Sequence, residues 1–468
     1  MKDGVCRVAG RRELLIDDFL LESREGAEFR LHEPVELPAD PGKPCGAYVD
    51  LVEADGRYLM YYRGVAAGYT GSLANGNPGE FVGVGLSDDG LHWRKPELGF
   101  FPGAPVPPET VIYGEMLTED LPCRSDPKAK EHPGFTSFTH NFTPFYDRRP
   151  GVPAEERFKA VSGILQTGGL FTFHSADGFH WVRESDGPII LYDALKLGGH
   201  ALDSQNIAFY SAVEGCYVLY FRVWRTADGR RGLRSFAKST SPDFRHWSEP
   251  EFLNPNRPEE HLYVSGLQPY RRAPQYYIGA ATRFFQNRGA ATDVTLIFSR
   301  AGGEILRPFP GVWIAPGLDP ERWGNRMNYM AWGMIRTSPE ELTMYHGHKL
   351  LRYKLRTDGF ISLAAGPETG SWMSKKLSGG VSALELNLAT SAAGSFKLEL
   401  CDAEGRALPG YGFADFDEFY GDAISMTPSW RGRPAPVLAE DFRLRAEMKE
   451  CDLYGIAFHA AGGGDFFE

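Results

Sequence analysis

The chain has 468 residues, which is long enough for a large core and for two domains. Its formal net charge of −11 argues against a nucleic-acid partner, because binding phosphates requires a basic surface. No apolar run approaches the ~18 residues of a membrane-spanning helix, so we predict no membrane partner.

The N-terminus and the cysteines bear on the cellular compartment. Residues 1–6 lack the charged and then apolar layout of a signal peptide, and the six cysteines are scattered without paired spacing. We therefore predict reduced thiols in a cytoplasmic protein, or a secreted or periplasmic protein if a leader has been removed. The same cysteine pattern predicts neither a structural zinc site nor a redox motif.

Pairs of strand-like segments recur along the first 365 residues. Each pair is rich in aromatic and β-branched residues and is split by Gly, Pro or Asp turns, which is typical of β-hairpins. The content of 54 Gly and 33 Pro agrees with many tight turns. The five pairs are 47–53 and 57–63, 141–146 and 157–161, 206–210 and 216–222, 267–270 and 275–279, and 329–334 and 342–346.

A heptapeptide of the form Ser-x-Asp-x-x-His-Trp follows each of the first three pairs. The copies span residues 87–93, 175–181 and 241–247, and a degenerate copy begins at Ser299. Ser and Asp side chains bond to nearby backbone N–H groups, and Trp can anchor the turn against a neighbouring unit. The repeat therefore predicts a recurring blade turn with a structural role for its three histidines, His92, His180 and His246.

Five such units predict an all-β fold with a five-bladed β-propeller over residues 1–365. We expect residues 13–20 to add a strand to the last blade, which would seal the ring and remove an exposed edge. After about residue 366 the sequence pattern changes. Apolar and polar residues alternate in residues 379–388 and 396–400 as in the strands of an open sheet. We predict a C-terminal β-sandwich over residues 366–468.

Five blades followed by a sandwich resemble glycoside hydrolase families 32, 43 and 68, whose members are five-bladed propellers acting on furanosides and related sugars. Residues 15–20, 141–145, 203–206 and 356–360 are similar to phrases of a bacterial group often labelled glycoside hydrolase family 32-like. The resemblance implies a glycosidase. The Trp-Met-Asn-Asp-Pro-Asn-Gly phrase of family 32 is absent, so the resemblance does not extend to fructan specificity.

Polar residues at the starts of the innermost strands predict the position of the site, because these strands line the channel of a propeller. Glycoside hydrolysis needs two carboxyl groups astride the scissile bond. One acidic residue lies near such a start in blades one, three and four: Asp50, Asp203 and Glu260. We expect Asp50 to act as base or nucleophile, Asp203 to orient or stabilise the oxocarbenium-like centre, and Glu260 to donate the proton.

Nine further residues near these strands are expected to bind substrate: Tyr48, Arg63, His140, Asn141, Gln205, Asn206, Arg222, Tyr263 and Arg283. Aromatic rings stack on sugars, and arginine offers a fork of donors that suits an anionic sugar. His140 could replace a carboxylate as acid or bind a metal in the channel. Packing, turn capping and ion pairing between blades are alternative explanations for these residues.

The favoured function is hydrolysis of terminal sugars from an oligo- or polysaccharide at the channel mouth. A carboxylate pair about 5–10 Å apart would support it. A non-catalytic carbohydrate-binding propeller is one alternative. A glycoside phosphorylase is another, and Arg63, Arg222 and Arg283 in one cluster would favour it. No cofactor is expected, although a divalent cation in the channel stays open, and the oligomeric state is not predicted.

Overall fold

The computed structural model of the chain describes residues 4–71, 75–114, 116–117 and 138–463. These residues form β-strands, turns and three short 3₁₀ helices, Ala154–Glu156, Leu165–Thr167 and Pro320–Trp323. No helix in these ranges is long and apolar enough to cross a membrane.

Five antiparallel sheets follow one another along the chain as the blades of a propeller, which confirms the predicted fold class. The strands before the first blade are β1 (Arg11–Leu14), β2 (Leu21–Glu25), β3 (Ala27–Leu31) and β4 (Val35–Pro38). Blade 1 contains β5 (Ala47–Ala54), β6 (Arg57–Val65), β7 (Glu80–Ser87), β8 (Thr110–Tyr113) and β9 (Met116–Leu117). Blade 2 contains β10 (Thr143–Tyr146), β11 (Phe158–Ser162), β12 (Gly169–Ser175), β13 (Val182–Arg183) and β14 (Ile190–Leu191).

The remaining blades repeat this plan. Blade 3 contains β15 (Ile207–Ser211), β16 (Cys216–Arg225), β17 (Arg231–Ser241) and β18 (Glu251–Phe252). Blade 4 contains β19 (His261–Val264), β20 (Gln268–Tyr270), β21 (Ala273–Phe285), β22 (Ala291–Arg300) and β23 (Ile305–Leu306). Blade 5 contains β24 (Ile335–Ser338), β25 (Glu341–Tyr345) and β26 (Leu351–Arg356), and β4 from the N-terminus pairs with β26 as its outermost strand.

The expectation that residues 13–20 seal the last blade is wrong, because β4 does so. Strand β1 instead pairs with the C-terminal strand β33 (Phe442–Ala460). The physical reason is burial: Leu14, Leu15 and Ile16 are almost fully buried between the propeller and the C-terminal sheet, whereas β4 is largely exposed. An exposed edge strand carries no apolar alternation for sequence reasoning to detect.

The C-terminal sheet has eight strands and draws on both ends of the chain. Its strands are β1, β2, β3, β27 (Ile361–Ala365), β28 (Gly370–Ser374), β29 (Val381–Asp402), β30 (Asp422–Met426) and β33, and a separate hairpin joins β31 (Ser429–Trp430) to β32 (Arg433–Pro434). The long strands β29 and β33 pair along most of their length, with a register shift between Thr390 and Ser395. The sandwich and the boundary at residue 365 stay predictions.

The repeated heptapeptides form the same turn three times. In the second copy, Ser175 Oγ donates to Asp177 Oδ1 at 3.1 Å, and that oxygen accepts the N–H groups of Phe179 and His180 at 2.8 and 2.9 Å. His180 Nδ1 lies 2.8 Å from the other carboxylate oxygen. The copies beginning at Ser87 and Ser241 have matching bonds. The Ser and Asp side chains of the heptapeptides therefore stabilise the blade turns through hydrogen bonds.

Replacing Asp177 with Ala is expected to destabilise the fold by about 1–2 kcal/mol, because its carboxylate accepts several hydrogen bonds in the turn. Although burial opposes it, the bonds from His180 and Phe179 lower the pKa of Asp177. Its stabilising contribution is therefore present above the ordinary aspartate pKa and is lost as the pH falls towards the folded value.

Urea denaturation as a function of pH measures this effect. The difference between wild type and Asp177→Ala should shrink below about pH 4. Asp186→Ala, at an exposed position in the same blade, is the matched control. Equal urea midpoints for Asp177→Ala and Asp186→Ala would contradict the stabilising role of Asp177 in the turn.

Candidate active site at the channel mouth

The innermost strands of the five blades begin at one mouth of the channel and bring their first polar residues together. Tyr48 of blade 1 and Tyr263 of blade 4 place their hydroxyl oxygens 2.7 Å apart. The Tyr48 N–H donates to the hydroxyl of Tyr329, just before blade 5, at 3.1 Å. His140 Nε2, before blade 2, lies 3.4 Å from Asp203 Oδ1, before blade 3.

Asp203 is the carboxylate of this mouth that solvent can reach. Its side chain is 24% exposed, and its Oδ2 lies 3.1 Å from Nη2 of the buried Arg222 on β16. Burial by itself would raise the pKa of Asp203, but the Arg222 charge and then His140 lower it far below its usual range. Asp203 is therefore an anion in the resting protein, suited to stabilise positive charge and too weakly basic to hold a proton.

The loop that carries Asp203 is held by amide side chains predicted to bind substrate. Leu202 has a left-handed φ of +65°, and its carbonyl accepts Asn141 Nδ2 at 3.1 Å and Asn206 Nδ2 at 2.9 Å. Ser204 Oγ donates to the Tyr263 carbonyl at 2.7 Å. These bonds orient Asp203, so Asn141 and Asn206 are positioning residues in the described structure.

His140 lies between two carboxylates. Its Nδ1 is 2.9 Å from Oε1 of the buried Glu80 on β7, and its Nε2 faces Asp203. Arg63 donates to the His140 carbonyl at 2.5 Å. Burial alone would raise the pKa of Glu80, but its bond with His140 lowers it. Arg63 Nη1 at 2.7 Å and the Gly76 N–H at 3.1 Å also contact Nδ1, so this nitrogen lies in a buried polar cluster while Nε2 faces the mouth.

Arginines line the same mouth in excess over carboxylates. Arg63 lies over the Tyr48 ring at 4.9 Å and Arg222 over the Tyr263 ring at 5.0 Å. Arg234 lies between the rings of Trp224 and Phe284, at 4.5 and 4.0 Å. Burial, followed by the Arg222 charge, lowers the pKa of Arg234 to about 10.

Three arginines of the mouth have no counter-ion: Arg63, Arg234 and Arg326, the last of which is exposed. Within the described ranges, no carboxylate oxygen lies within 4 Å of their guanidinium groups. Burial lowers the pKa of Arg326, but the neighbouring Tyr263 phenol outweighs this and raises it. Sequence reasoning missed Arg234, Arg326 and Glu80, which lie on outer strands or loops. The one signal is the arginine-rich run at residues 225–234, which contains Arg234.

Asp50 does not lie at the mouth. It is fully buried inside the channel, where Gln205 Nε2 donates to its Oδ1 at 2.8 Å and to the Val49 carbonyl at 3.0 Å. Trp332 pairs with Asp50 across the blade 1 and blade 5 strands. Burial raises the pKa of Asp50 well above its usual value, which disfavours its charged form. These residues form a plug that closes the channel.

Glu260 and Arg283 lie in a different cluster from Asp203. Arg307 holds both Glu260 carboxylate oxygens, with Nη1 at 2.5 Å and Nη2 at 3.0 Å. Arg283 makes a two-pronged ion pair with Asp293 on the neighbouring strand, at 2.7 and 2.6 Å. Both side chains are thus engaged in ion pairs of blade 4, and the structure does not bring them together with the mouth.

A metal site is not evident in the part of the chain that the structure describes. Within these ranges, no group of three His, Cys, Asp or Glu side chains is arranged to hold a metal ion. His346 Nδ1 accepts the N–H groups of His348 and Lys349, and the His348 ring packs edge-on against Tyr329 at 4.9 Å. Burial and then the Arg63 charge lower the pKa of His348 to about 4, so this imidazole is neutral.

No protein-family model and no curated protein match the chain. Among solved structures, it is similar to a glycoside hydrolase family 43 arabinoxylan arabinofuranohydrolase from Bacillus subtilis, at 11% identity and TM-score 0.44 over 89% of this chain and 96% of that one. A β-1,2-mannobiose phosphorylase from Listeria innocua matches at 13% and 0.45, over 74% and 96%. A glycosyl hydrolase from Bacteroides ovatus matches at 12% and 0.42, over 74% and 97%. Sequence identities and TM-scores this low do not carry an activity over to this chain.

Replacing Asp50 with Asn is expected to stabilise the protein at neutral pH. Because the folded pKa of Asp50 is raised, the native state binds a proton that the unfolded state releases, and stability falls as pH rises above about 3.9. The amide removes this dependence and keeps an acceptor for Gln205. Thermal melting from about pH 4 upwards should show a smaller loss of stability for the variant than for wild type, and an equal loss in both would contradict the raised pKa of Asp50.

Replacing Arg234 with Gln is expected to leave the melting temperature unchanged or raise it, because the substitution removes a charge repelled by Arg222. The same variant should bind an anionic sugar at least about 10-fold more weakly, because it loses one charged hydrogen bond to the ligand. Arg288→Gln, exposed in the neighbouring blade 4 turn, is the matched control. A large drop in melting temperature with unchanged affinity would show that Arg234 is structural.

Proposed function

We propose that the protein is a glycan-processing enzyme that cleaves a glycosidic bond at a sugar bearing an anionic group. The observation that carries the proposal is the charge balance of the mouth. Four guanidinium groups, those of Arg63, Arg222, Arg234 and Arg326, share it with two carboxylates, Asp203 and Glu80. An uronate, sulfate or phosphate on the sugar would supply the missing negative charge.

Asp203 is the catalytic carboxylate in this proposal. Its ionised oxygens would face the positive charge that develops at the anomeric carbon when the bond to the leaving sugar breaks. His140 would exchange a proton with the leaving oxygen or the attacking water, because its Nε2 lies beside Asp203. Glu80 would act as a positioning residue that holds the imidazole in this orientation.

This arrangement differs from the expected pair of two substrate-facing carboxylates. Both Asp203 and Glu80 have lowered pKa values, so neither is a protonated acid at neutral pH. The pKa of Asp50 is raised by burial, but its carboxyl group is sealed inside the plug and cannot reach a substrate at the mouth. The imidazole of His140 therefore takes the proton-transfer role in our proposal, in place of Glu260.

Phosphorolysis is the second candidate, because the same arginines suit inorganic phosphate as the attacking group. The expected cluster of Arg63, Arg222 and Arg283 forms only in part, since Arg283 pairs with Asp293, while Arg234 and Arg326 stand beside Arg222 and Tyr263. Hydrolysis and phosphorolysis differ in their product. Water yields a reducing sugar, and phosphate yields a sugar 1-phosphate.

Asp203→Asn tests the proposal on a panel of neutral and anionic aryl glycosides, including furanosides and uronides, with and without inorganic phosphate. We expect turnover of an anionic substrate by wild type and a loss of about 100-fold or more in the variant. The amide still accepts a bond from Arg222, so the fold should persist by circular dichroism. Asp228→Asn, exposed on a blade 3 turn, is the control. Undiminished turnover by Asp203→Asn would overturn the assignment.

A further inference from the structure

A second cavity opens at the opposite end of the channel from Asp203. Its volume is about 650 Å³, which lies within the range of small-molecule sites. Its walls come from the far ends of the innermost strands, and all five blades contribute. One residue from each blade illustrates this: Glu53, Phe145, Phe209, Gln268 and Ile335.

The plug separates this cavity from the channel mouth. Asp50 and Gln205 are hydrogen-bonded across the channel, and both are buried. Trp332 closes the layer from blade 5, where its Nε1 donates to the Leu267 carbonyl at 3.1 Å. The indole also lines the second cavity. A ligand in this cavity would therefore not be the sugar undergoing reaction at Asp203.

The floor of the cavity is apolar and aromatic. Phe145, Phe209, Trp332 and Ile335 line it and are almost fully buried. The half-buried tyrosines Tyr58, Tyr146 and Tyr210 also line the cavity. A sugar can stack its C–H face on such a floor, but its hydroxyl groups also need polar partners, which these four side chains do not supply. A planar aromatic ring loses no hydrogen bonds there and gains stacking contacts.

The charged lining residues are mostly positive. Arg148 and Arg271 both pair with Glu53, and Arg272 pairs with the buried Asp358. Arg336 also lines the cavity, and its guanidinium donates to the Pro339 carbonyl at 3.0 and 3.3 Å. Within the described ranges, no carboxylate lies within 4 Å of Arg336. Arg336 is exposed at the rim of this cavity and, with Pro339, also borders a neighbouring one, and its remaining N–H groups can donate to an anion.

We propose that this second cavity binds a small aromatic carboxylate, with its ring on the Phe145, Phe209 and Trp332 floor and its carboxylate on Arg336. The proposal does not rest on the activity at Asp203. It combines an aromatic floor, which favours a planar ring over a heavily hydroxylated ligand, with an exposed guanidinium that has no carboxylate within 4 Å in the described ranges. A ring with one anionic group satisfies both features, whereas a neutral aromatic satisfies only the first.

Calorimetric titration with 2-naphthoate tests the proposal, with 2-naphthol as the neutral comparison. The full-length Asp203→Asn variant is used as host, so that a failed catalytic assignment does not affect the result. We expect saturable binding of 2-naphthoate, at least about 10-fold tighter than that of 2-naphthol. Equal affinity for the two probes, or no saturable binding at millimolar concentration, would overturn the proposal.

Two substitutions test separately the contribution of the Arg336 charge and the need for an open cavity. Arg336→Gln should weaken 2-naphthoate by about 10-fold and leave 2-naphthol unchanged. Ala212→Phe adds a ring at an exposed lining position and should abolish binding of both probes. Arg94→Gln, exposed beside the first blade turn, is the control and should bind as the host does. Unaltered binding in both cavity variants would place the probe elsewhere and contradict the site.

Discussion

The imbalance of charge at the channel mouth is the constraint on which the functional account depends. Asp203 neutralises Arg222, and Glu80 is engaged by His140, which leaves the Arg63, Arg234 and Arg326 guanidinium groups without a carboxylate. Folding places these like charges together at a cost, since the pKa of Arg234 is lowered. Proteins retain such costly arrangements where function needs them, and an anionic ligand would relieve this one.

The fold creates this mouth through repetition. Each blade begins its innermost strand at the same end, so that polar residues far apart in the sequence converge. The Ser-x-Asp turns fasten the blades, and the plug of Asp50, Gln205 and Trp332 closes the channel between its two ends. The result is two separate compartments, one polar and charged around Asp203, the other aromatic and lined by Arg336.

Sequence reasoning predicted the propeller because its signals are local. The alternation of apolar and polar residues in the hairpins and the turns of the repeated heptapeptides depend on residues within a few positions of one another. Asp203 was also predictable, because its polar run stands directly before the apolar strand β15. The run before β19 has the same appearance, yet Glu260 faces Arg307, an ion-pair partner 47 residues away that no local pattern reveals.

Two other residues show why the rest of the site could not be predicted. Alternation suggested that Asp50 faces the open mouth, but β5 contains a bulge and Tyr48 has a left-handed φ of +48°, and Asp50 lies in the closed plug. Arg234 lies on the third strand of its blade, where sequence alone gives no reason to expect a channel residue. Its position depends on the rings of Trp224 and Phe284, which come from two blades.

The most direct test of the central claim is a crystal structure of the protein soaked in selenate, with data collected at the selenium edge. The anion has the charge and size of a sulfate or phosphate group and is located by anomalous scattering without a choice of sugar. The account predicts an anomalous peak within hydrogen-bonding distance of Arg234 or Arg326, beside Asp203. Selenate bound at other surface arginines, with an empty mouth, would contradict the claim that this site receives an anionic group.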